Sequence, residues 1–189
     1  MNEKKIEERI LSEERVYEGK LVKVNRLEVT LPDGKGAVRE AVRHPGASAI
    51  VPVDAEGNVT LVRQYRAPIA QVLLEIPAGK LDYKGEDRLE AAKRELREET
   101  GLTAENWVHL TDIVTAPGFC DEVISIYLAT GLAAGEDEPD EDEFLNVVKT
   151  PLAGLIEIAK RGEITDSKTL IGLLLAEKWL TEDKSNGIL

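Results

Sequence analysis

The stretch Arg94-Glu95-Leu96-Arg97-Glu98-Glu99-Thr100-Gly101-Leu102 decides how the fold is predicted. An α-helix turns once in about 3.6 residues, so Glu95, Glu98 and Glu99 fall on one helix face. Three carboxylates so close together repel one another unless cations lie among them, and Mg²⁺ prefers oxygen ligands. Arg94 lies one turn before Glu98 and can orient its carboxylate. The pattern favours metal-assisted phosphate chemistry.

A solvated salt-bridge ladder is the alternative interpretation of this helix. Glu90, Arg94 and Glu98 follow one another at four-residue steps, as in many exposed helices. The helix is preceded, however, by the segment 75–82, Glu-Ile-Pro-Ala-Gly-Lys-Leu-Asp, which is typical of a strand end running into a Pro/Gly loop. Gly101 is suited to the C′ position. The strand-loop-helix unit predicts a pocket beside the acidic face rather than a plain outer surface.

These residues resemble the signature of the Nudix hydrolases. That signature has Gly, five residues, Glu, seven residues, and then Arg-Glu-aliphatic-x-Glu-Glu-x-Gly-aliphatic. The block from Arg94 to Leu102 fits at every fixed position, and seven residues separate Glu86 from Arg94. The departure is six residues instead of five between Gly79 and Glu86. We expect the extra residue to bulge in the loop without rotating the helix.

Other segments are similar to the ADP-ribose pyrophosphatase branch of this superfamily. They are Arg43–Ala47, Val62–Arg66, Leu74–Gly79 and Ala116–Phe119 with the following Asp121-Glu122. The resemblance implies Mg²⁺-dependent hydrolysis of the diphosphate bond of ADP-ribose to AMP and ribose 5-phosphate. Two alternatives stay open: cleavage of another nucleoside diphosphate sugar, such as a GDP- or UDP-sugar, and a sugar-nucleotide-binding module without turnover.

The site residues follow from the helix face and from the resemblance. The predicted metal ligands are Glu95, Glu98, Glu99 and, as the family implies, the carbonyl of Ala78. We expect two or more Mg²⁺ ions, with Mn²⁺ as an alternative. Arg94 orients the carboxylates, and Glu98 and Arg94 count among the catalytic residues. Glu86 is either structural or a secondary ligand.

The general base and the substrate contacts lie outside the signature. The resemblance places a catalytic carboxylate on a loop after the helix, where Glu141 and Glu143 are the candidates. Glu143 is slightly favoured because it directly precedes a predicted strand, and a solvated acidic loop is the alternative for both. The predicted substrate contacts are Arg43, Arg66, Glu75 and Gly118, the last in a segment that is also typical of a plain turn.

The order of predicted elements favours a mixed α/β (α+β) fold. Strands are predicted at 16–29, 37–44, 47–53, 59–66, 72–76, 107–114, 123–129 and 144–148, and later helices at 152–161 and 167–180. The resemblance implies a Nudix-type α/β/α sandwich with mixed sheets, preceded by an N-terminal antiparallel β-hairpin region. We divide the chain into a β-rich dimerisation segment, residues 1–44, and a Nudix domain, residues 45–189; the homodimer is itself an implication of the resemblance.

Composition limits the possible partners. The net charge of −12 and the pI of about 4.8 argue against a broad nucleic-acid or anionic-membrane surface, which needs basic patches. The partner predicted is a small nucleoside diphosphate sugar. Cys120 is the only cysteine, which excludes an intrachain disulfide. The N-terminal residues lack the apolar core of a signal peptide, so we expect a cytoplasmic protein.

Overall fold

The computed structural model describes residues 6–135 and 144–186, with the side chains of 183–186 left out of the description. The strands are β1 (Arg9–Glu18), β2 (Lys23–Thr30), β3 (Gly36–Arg43), β4 (Ala47–Pro52), β5 (Asn58–Arg66), β6 (Gln71–Glu75), β7 (Ala78–Lys80), β8 (Leu102–Val114), β9 (Val123–Ala134) and β10 (Asn146–Pro151). The helices are α1 (Arg88–Thr100), α2 (Leu152–Lys160) and α3 (Ser167–Asn186). A single 3-10 turn, Ala67–Ile69, joins β5 to β6. This confirms the predicted mixed α+β class.

The described chain forms two compact units. The first runs to Gly46 and includes the segment Val114–Glu122; the second contains Ala47–Ile113 and the described residues from Val123 onward. In the first unit β1, β2 and β3 form an antiparallel sheet. The predicted strand at 16–29 is divided there, because the chain turns at Gly19, whose amide donates to the carbonyl of Val22 at 2.9 Å.

The second unit is built around β4, which is buried at all six positions. A four-stranded sheet has the order β7-β4-β9-β8, in which β4 runs parallel to β9 and antiparallel to β7. Ala49 and Val51 belong to the cluster that includes α2 and α3, whereas Ile50 packs with Ala92 and Leu96 of α1. Successive side chains of a strand point to opposite faces. Helices therefore cover both faces of this mixed sheet, as the predicted sandwich requires.

A second sheet, with the order β10-β5-β6, belongs to the same unit, and its pairs are antiparallel. Its strands deliver Val59 and Leu61 to the main core cluster. β6 ends at Glu75, and β7 begins three residues later at Ala78. The predicted Pro/Gly loop thus begins at an edge strand of one sheet, and part of it forms β7, an edge strand of the other.

Helix α1 begins and ends where its sequence allows. The Asp87 carboxylate caps the N-terminus by accepting from the amides of Leu89 and Glu90 at 2.9 and 3.0 Å. Gly101 ends the helix in the left-handed conformation, with φ 66°, and its amide donates to Arg97. None of the three helices combines the length and the hydropathy of a membrane-spanning segment, as far as the described residues go.

The close packing of α3 yields a stability test at Gly172. A Cβ there would lie 2.9 Å from Cγ2 of Val51 and 3.1 Å from Cδ1 of Ile76, both buried. Overpacking costs about 1–3 kcal/mol, whereas Ala gains about 1 kcal/mol over Gly in a helix. We expect Gly172→Ala to lower the free energy of unfolding in urea by about 1 kcal/mol.

Gly154 of α2 provides the matched control, because a Cβ there meets nothing within 4 Å. Gly154→Ala should therefore raise the free energy of unfolding by up to about 1 kcal/mol. If Gly172→Ala is as stable as Gly154→Ala, the short distances from Gly172 to Val51 and Ile76 do not disfavour a side chain at position 172, and the prediction is wrong.

Candidate active site

Arg94 lies at the centre of the acidic face of α1. Its Nη1 donates to Oε1 of Glu95 at 2.7 Å and to Oε2 of Glu98 at 2.9 Å, and its Nη2 donates to the carbonyl of Lys80 at 3.3 Å. Burial alone would lower the pKa of Arg94, but Glu95 and Glu98 outweigh this and raise it above its ordinary value. The guanidinium thus stays charged and fixes two of the three predicted ligands relative to the loop.

Glu95 and Glu99 extend from α1 onto the backbone of the loop. A Cβ at Gly79 would lie 2.1 Å from Cδ and from Oε2 of Glu95, so a side chain at position 79 would require this carboxylate to move. The amide of Ala78 donates to Oε2 of Glu99 at 3.0 Å. The helix and the strand β7 are therefore joined through the side chains of two predicted ligands.

The segment between Gly79 and α1 is a turn that is closed by a side-chain hydrogen bond. Gly85 has a φ of 97°, which few other residues adopt. Oε2 of Glu86 accepts from the amide of Asp82 at 2.7 Å, so its side chain closes the turn. Oε1 of Glu86 also lies 3.8 Å from Nη2 of Arg94. Glu86 therefore has structural contacts, and its alternative role as a secondary ligand stays a prediction.

The donor set on this face has the chemistry of a site for a hard divalent cation. Three carboxylates and one guanidinium leave a surplus of negative charge, and Glu95 and Glu99 are each only 7% exposed. Within residues 6–135 and 144–186, no group of three His, Cys, Asp or Glu side chains already converges as a metal site. Glu95 and Glu98 are turned toward Arg94, and Glu99 toward Ala78. The residues fit such an ion by chemistry and position, after rotation of their side chains.

The buried Glu75 carboxylate forms an ion pair with the partly exposed Arg66 beside the loop. Arg66 donates from Nε and Nη2 to the two Glu75 oxygens at 2.7 and 2.6 Å, and Lys168 Nζ contacts Oε2 of Glu75. Glu75 is 1% exposed. Burial alone would raise the pKa of Glu75, but Arg66 and Lys168 outweigh it and the pKa is lowered.

The lowered pKa of Glu75 determines how the stability contributed by the ion pair depends on pH. A lowered folded-state pKa gives stability that is present above the unfolded value, near 4.5, and is lost as pH falls through the folded value.

The side chain of Arg66 is 40% exposed, and its Nη1 has no partner among the described residues. Arg66 is thus held on one edge and open on the other, which suits binding of an anion. Glu75, by contrast, is enclosed by its two cations.

Arg43 and Gly118 belong to the first unit. Arg43 donates from Nε to Glu13 at 2.8 Å and from Nη1 to Asp121 at 3.1 Å. The hydrogen bond that Arg43 donates to Glu13 raises the pKa of Arg43, despite partial burial, and Asp121 adds to the effect. Gly118 lies in a turn in which the Phe119 amide donates to Ala116 at 3.0 Å. Their predicted contacts with substrate stay predictions.

The two candidates for the general base, Glu141 and Glu143, lie outside the described residues, so their role stays a prediction. Sequence reasoning missed Lys168 and Thr169, which contact the segment leading into the loop, and Asp166, which accepts hydrogen bonds from both. An Asp directly before the predicted helix at 167 signalled an N-cap, but nothing in the sequence indicated what that turn contacts.

Comparisons with known proteins agree with this geometry. A family model described as the NUDIX domain matches residues 42–170. The chain is 41% identical to the ADP-ribose pyrophosphatase of Bacillus subtilis (strain 168) over 168 residues, covering 88% of this chain and 90% of that protein. It is 42% identical to the methanol dehydrogenase activator of Bacillus methanolicus over 172 residues, covering 90% and 92%.

Among solved structures, the crystal structure of an ADP compounds hydrolase superposes with a TM-score of 0.83 at 27% identity. The superposition covers 96% of this chain and 98% of the other. Nudix hydrolases generally use divalent metal ions such as Mg²⁺. The family match, the identities and the shared structure together show that the chain belongs to the Nudix hydrolases.

Proposed function

We propose that this protein hydrolyses the diphosphate bond of ADP-ribose, giving AMP and ribose 5-phosphate. The observation that carries the proposal is the acidic face of α1, held by Arg94 beside the Gly79 loop. Support for the proposed substrate class comes from the relatives, among them the ADP-ribose pyrophosphatase of B. subtilis. One water is consumed: its hydroxyl joins one phosphorus, and the bridging oxygen leaves on the other phosphate.

The metal-binding residues in this proposal are Glu95, Glu98, Glu99 and the carbonyl of Ala78, with two or more Mg²⁺ ions, or Mn²⁺ in their place. Such ions would neutralise charge on the diphosphate and lower the pKa of water. Arg94 is not itself a ligand in this proposal. It orients two of the ligands, Glu95 and Glu98, on the side of the helix that faces the loop. The hard oxygen donors favour these ions over softer metals.

The remaining residues bind substrate and move the proton. Arg66 offers its open Nη1 to an anionic group while Glu75 fixes the guanidinium, so Glu75 takes part through Arg66. Arg43 and Gly118 are proposed as further substrate contacts. Glu143, or else Glu141, accepts the proton of the attacking water. A cytoplasmic location completes the proposal and agrees with the single, free Cys120.

A substrate panel tests the proposed activity. We expect ADP-ribose with Mg²⁺ to give AMP and ribose 5-phosphate in equal amounts, identified by chromatography, and EDTA to abolish the reaction. GDP-mannose and UDP-glucose are included as competing substrates. Preferred turnover of either would contradict the substrate assignment, and binding without turnover of any member would contradict the enzyme assignment.

Glutamine variants test the assigned carboxylates. Gln keeps the shape of Glu but loses the negative charge that binds Mg²⁺, so Glu98→Gln and Glu99→Gln should lower kcat by roughly a hundredfold or more. Glu143→Gln or Glu141→Gln should lower kcat and remove the acidic limb of its pH profile.

Glu90→Gln is the matched control for these variants, because Glu90 lies on the same helix, is 66% exposed in its side chain and, among the described residues, forms an ion pair only with Lys93. It should retain the activity of the unmodified protein. Near-normal kcat in Glu98→Gln or Glu99→Gln, with circular dichroism unchanged, would show that the ligand set is wrong.

A homodimer formed through the N-terminal segment, residues 1–44, is also part of this proposal. All ten residues of β1 are exposed, including the apolar Ile10, Leu11, Val16 and Tyr17. The register of β1 against β2 shifts at Leu11 and again at Val16. We expect light scattering to give twice the chain mass of 20.8 kDa, and Leu11→Arg to give the monomer mass. Val147→Arg, on exposed β10, is the control; a monomeric parent protein would contradict the proposal.

A further inference from the structure

The first turn of α3 contacts the segment that leads into the Gly79 loop. The turn is fixed by Asp166: its Oδ2 accepts from the Thr169 amide at 3.0 Å and from the Thr169 hydroxyl at 2.5 Å, and its carbonyl accepts from the Leu170 amide. The residues contacted are Glu75 and Ile76, 93 positions earlier in the chain. Two separate contacts join the turn to this dipeptide.

Thr169 makes the contact with the backbone. Its Oγ1 accepts the amide of Ile76 at 2.8 Å, and both residues are buried, with Thr169 fully enclosed. The hydroxyl thus donates to Asp166 and accepts from Ile76 at the same time. Because a buried amide needs a partner, Ile76 depends on this one side chain.

Lys168 makes the contact with a side chain. Its Nζ bonds to Oε2 of Glu75 and to Oδ1 of Asp166, the latter at 3.1 Å. Glu75 holds Arg66 through two parallel hydrogen bonds. Lys168 is 8% exposed and is surrounded by the charges that it balances. It therefore helps to keep the Glu75 carboxylate in the geometry that Arg66 needs.

The dipeptide lies directly before the residues that contact α1. Ala78, two positions after Ile76, donates its amide to Glu99. The carbonyl of Pro77, between them, accepts from Ile50 of β4 at 2.9 Å, and β7 pairs with β4. The segment is thus anchored by β4 on the side that follows Pro77, and by α3 on the side that precedes it.

We propose that the first turn of α3 is a positioning element for the active site, acting through two residues. Thr169 fixes Ile76 and thereby the Ala78 amide that holds Glu99. Lys168 fixes Glu75 and thereby Arg66. The inference deepens the proposed function and rests on it for its kinetic consequences, while its structural part can be measured without substrate.

Three threonine variants test the backbone contact. Thr169→Val keeps the shape of the side chain but removes the hydroxyl, whereas Thr169→Ser keeps the hydroxyl. Thr60→Val is the matched control, because Thr60 is equally enclosed but its hydroxyl has no hydrogen-bond partner among the described residues. Any effect of inserting a buried Val in place of Thr appears in both Val variants, so the difference between them reports the hydrogen bond.

Amide hydrogen exchange by NMR gives the readout that needs no substrate. We expect Thr169→Val to accelerate exchange at Ile76 and also at Ala78, and Thr169→Ser and Thr60→Val to leave both near the rates of the parent protein. Unchanged exchange at Ala78 in Thr169→Val would overturn the inference, because β4 alone would then position the segment. This outcome is independent of which substrate the protein hydrolyses.

Kinetics separate the two contacts. Using whichever diphosphate the panel identifies, Thr169→Val should lower kcat about tenfold and raise the Mg²⁺ concentration at half-maximal rate, with Thr169→Ser restoring both. Lys168→Met should raise KM about tenfold with a smaller change in kcat, because it acts through Arg66. Lys178→Met, an exposed Lys on the same helix, is the control. If Thr169→Val and Lys168→Met show the same fall in kcat and the same rise in KM, the substitutions only destabilise the protein in general. The assignment of separate roles to the two residues would then be wrong.

Discussion

The approach of the Glu95 carboxylate to the backbone of Gly79 is the contact on which the site depends. Any Cβ at this position would lie 2.1 Å from the carboxylate, so a residue other than glycine would displace Glu95 from the place where Arg94 holds it. The contact holds because both partners are fixed elsewhere. α1 packs Ala92 and Leu96 against Ile50 of β4. β7, which contains Gly79, pairs with the same strand. β4 is thus the common reference for the helix and the loop, and its burial on both faces makes that reference rigid.

Much of this could be predicted from the sequence, because it depends on local spacing. Glu95, Glu98 and Glu99 share a helix face whatever surrounds them, and Asp87 and Gly101 limit α1 by capping. The buried strand β4 was predicted from its apolar run. The local sequence pattern underestimates the lengths of β8 and β9. β8 begins earlier, at Leu102, and β9 ends later, at Ala134, in half-exposed stretches where polar and apolar residues do not alternate clearly.

The parts that could not be predicted depend on contacts between distant residues. β1 was missed up to Val16 because it is exposed at every position, so no buried face gives its sequence a period. β7 has only three residues, and it is a strand because β4 lies beside it. The role of Thr169 depends on Ile76, 93 residues away, and no spacing rule connects them. The motif that contains Glu75 predicts a substrate contact, and nothing in that motif indicates that Arg66 and Lys168 enclose the carboxylate.

The two charged clusters of the second unit are balanced in different ways, and the difference separates their roles. Beside α3, Glu75 and Asp166 meet Arg66 and Lys168, so two negative charges face two positive ones. The charges of this cluster are equal in number, and the desolvation of Glu75 and Lys168 offsets much of the stability that such ion pairs add. On α1, Glu95 and Glu98 share Arg94, and the third carboxylate, Glu99, accepts from the Ala78 amide. Glu99 also attracts Arg66, so the clusters are electrostatically linked. The neutral cluster can therefore act as a frame, while the excess negative charge is concentrated at the helix face where a divalent cation would be bound.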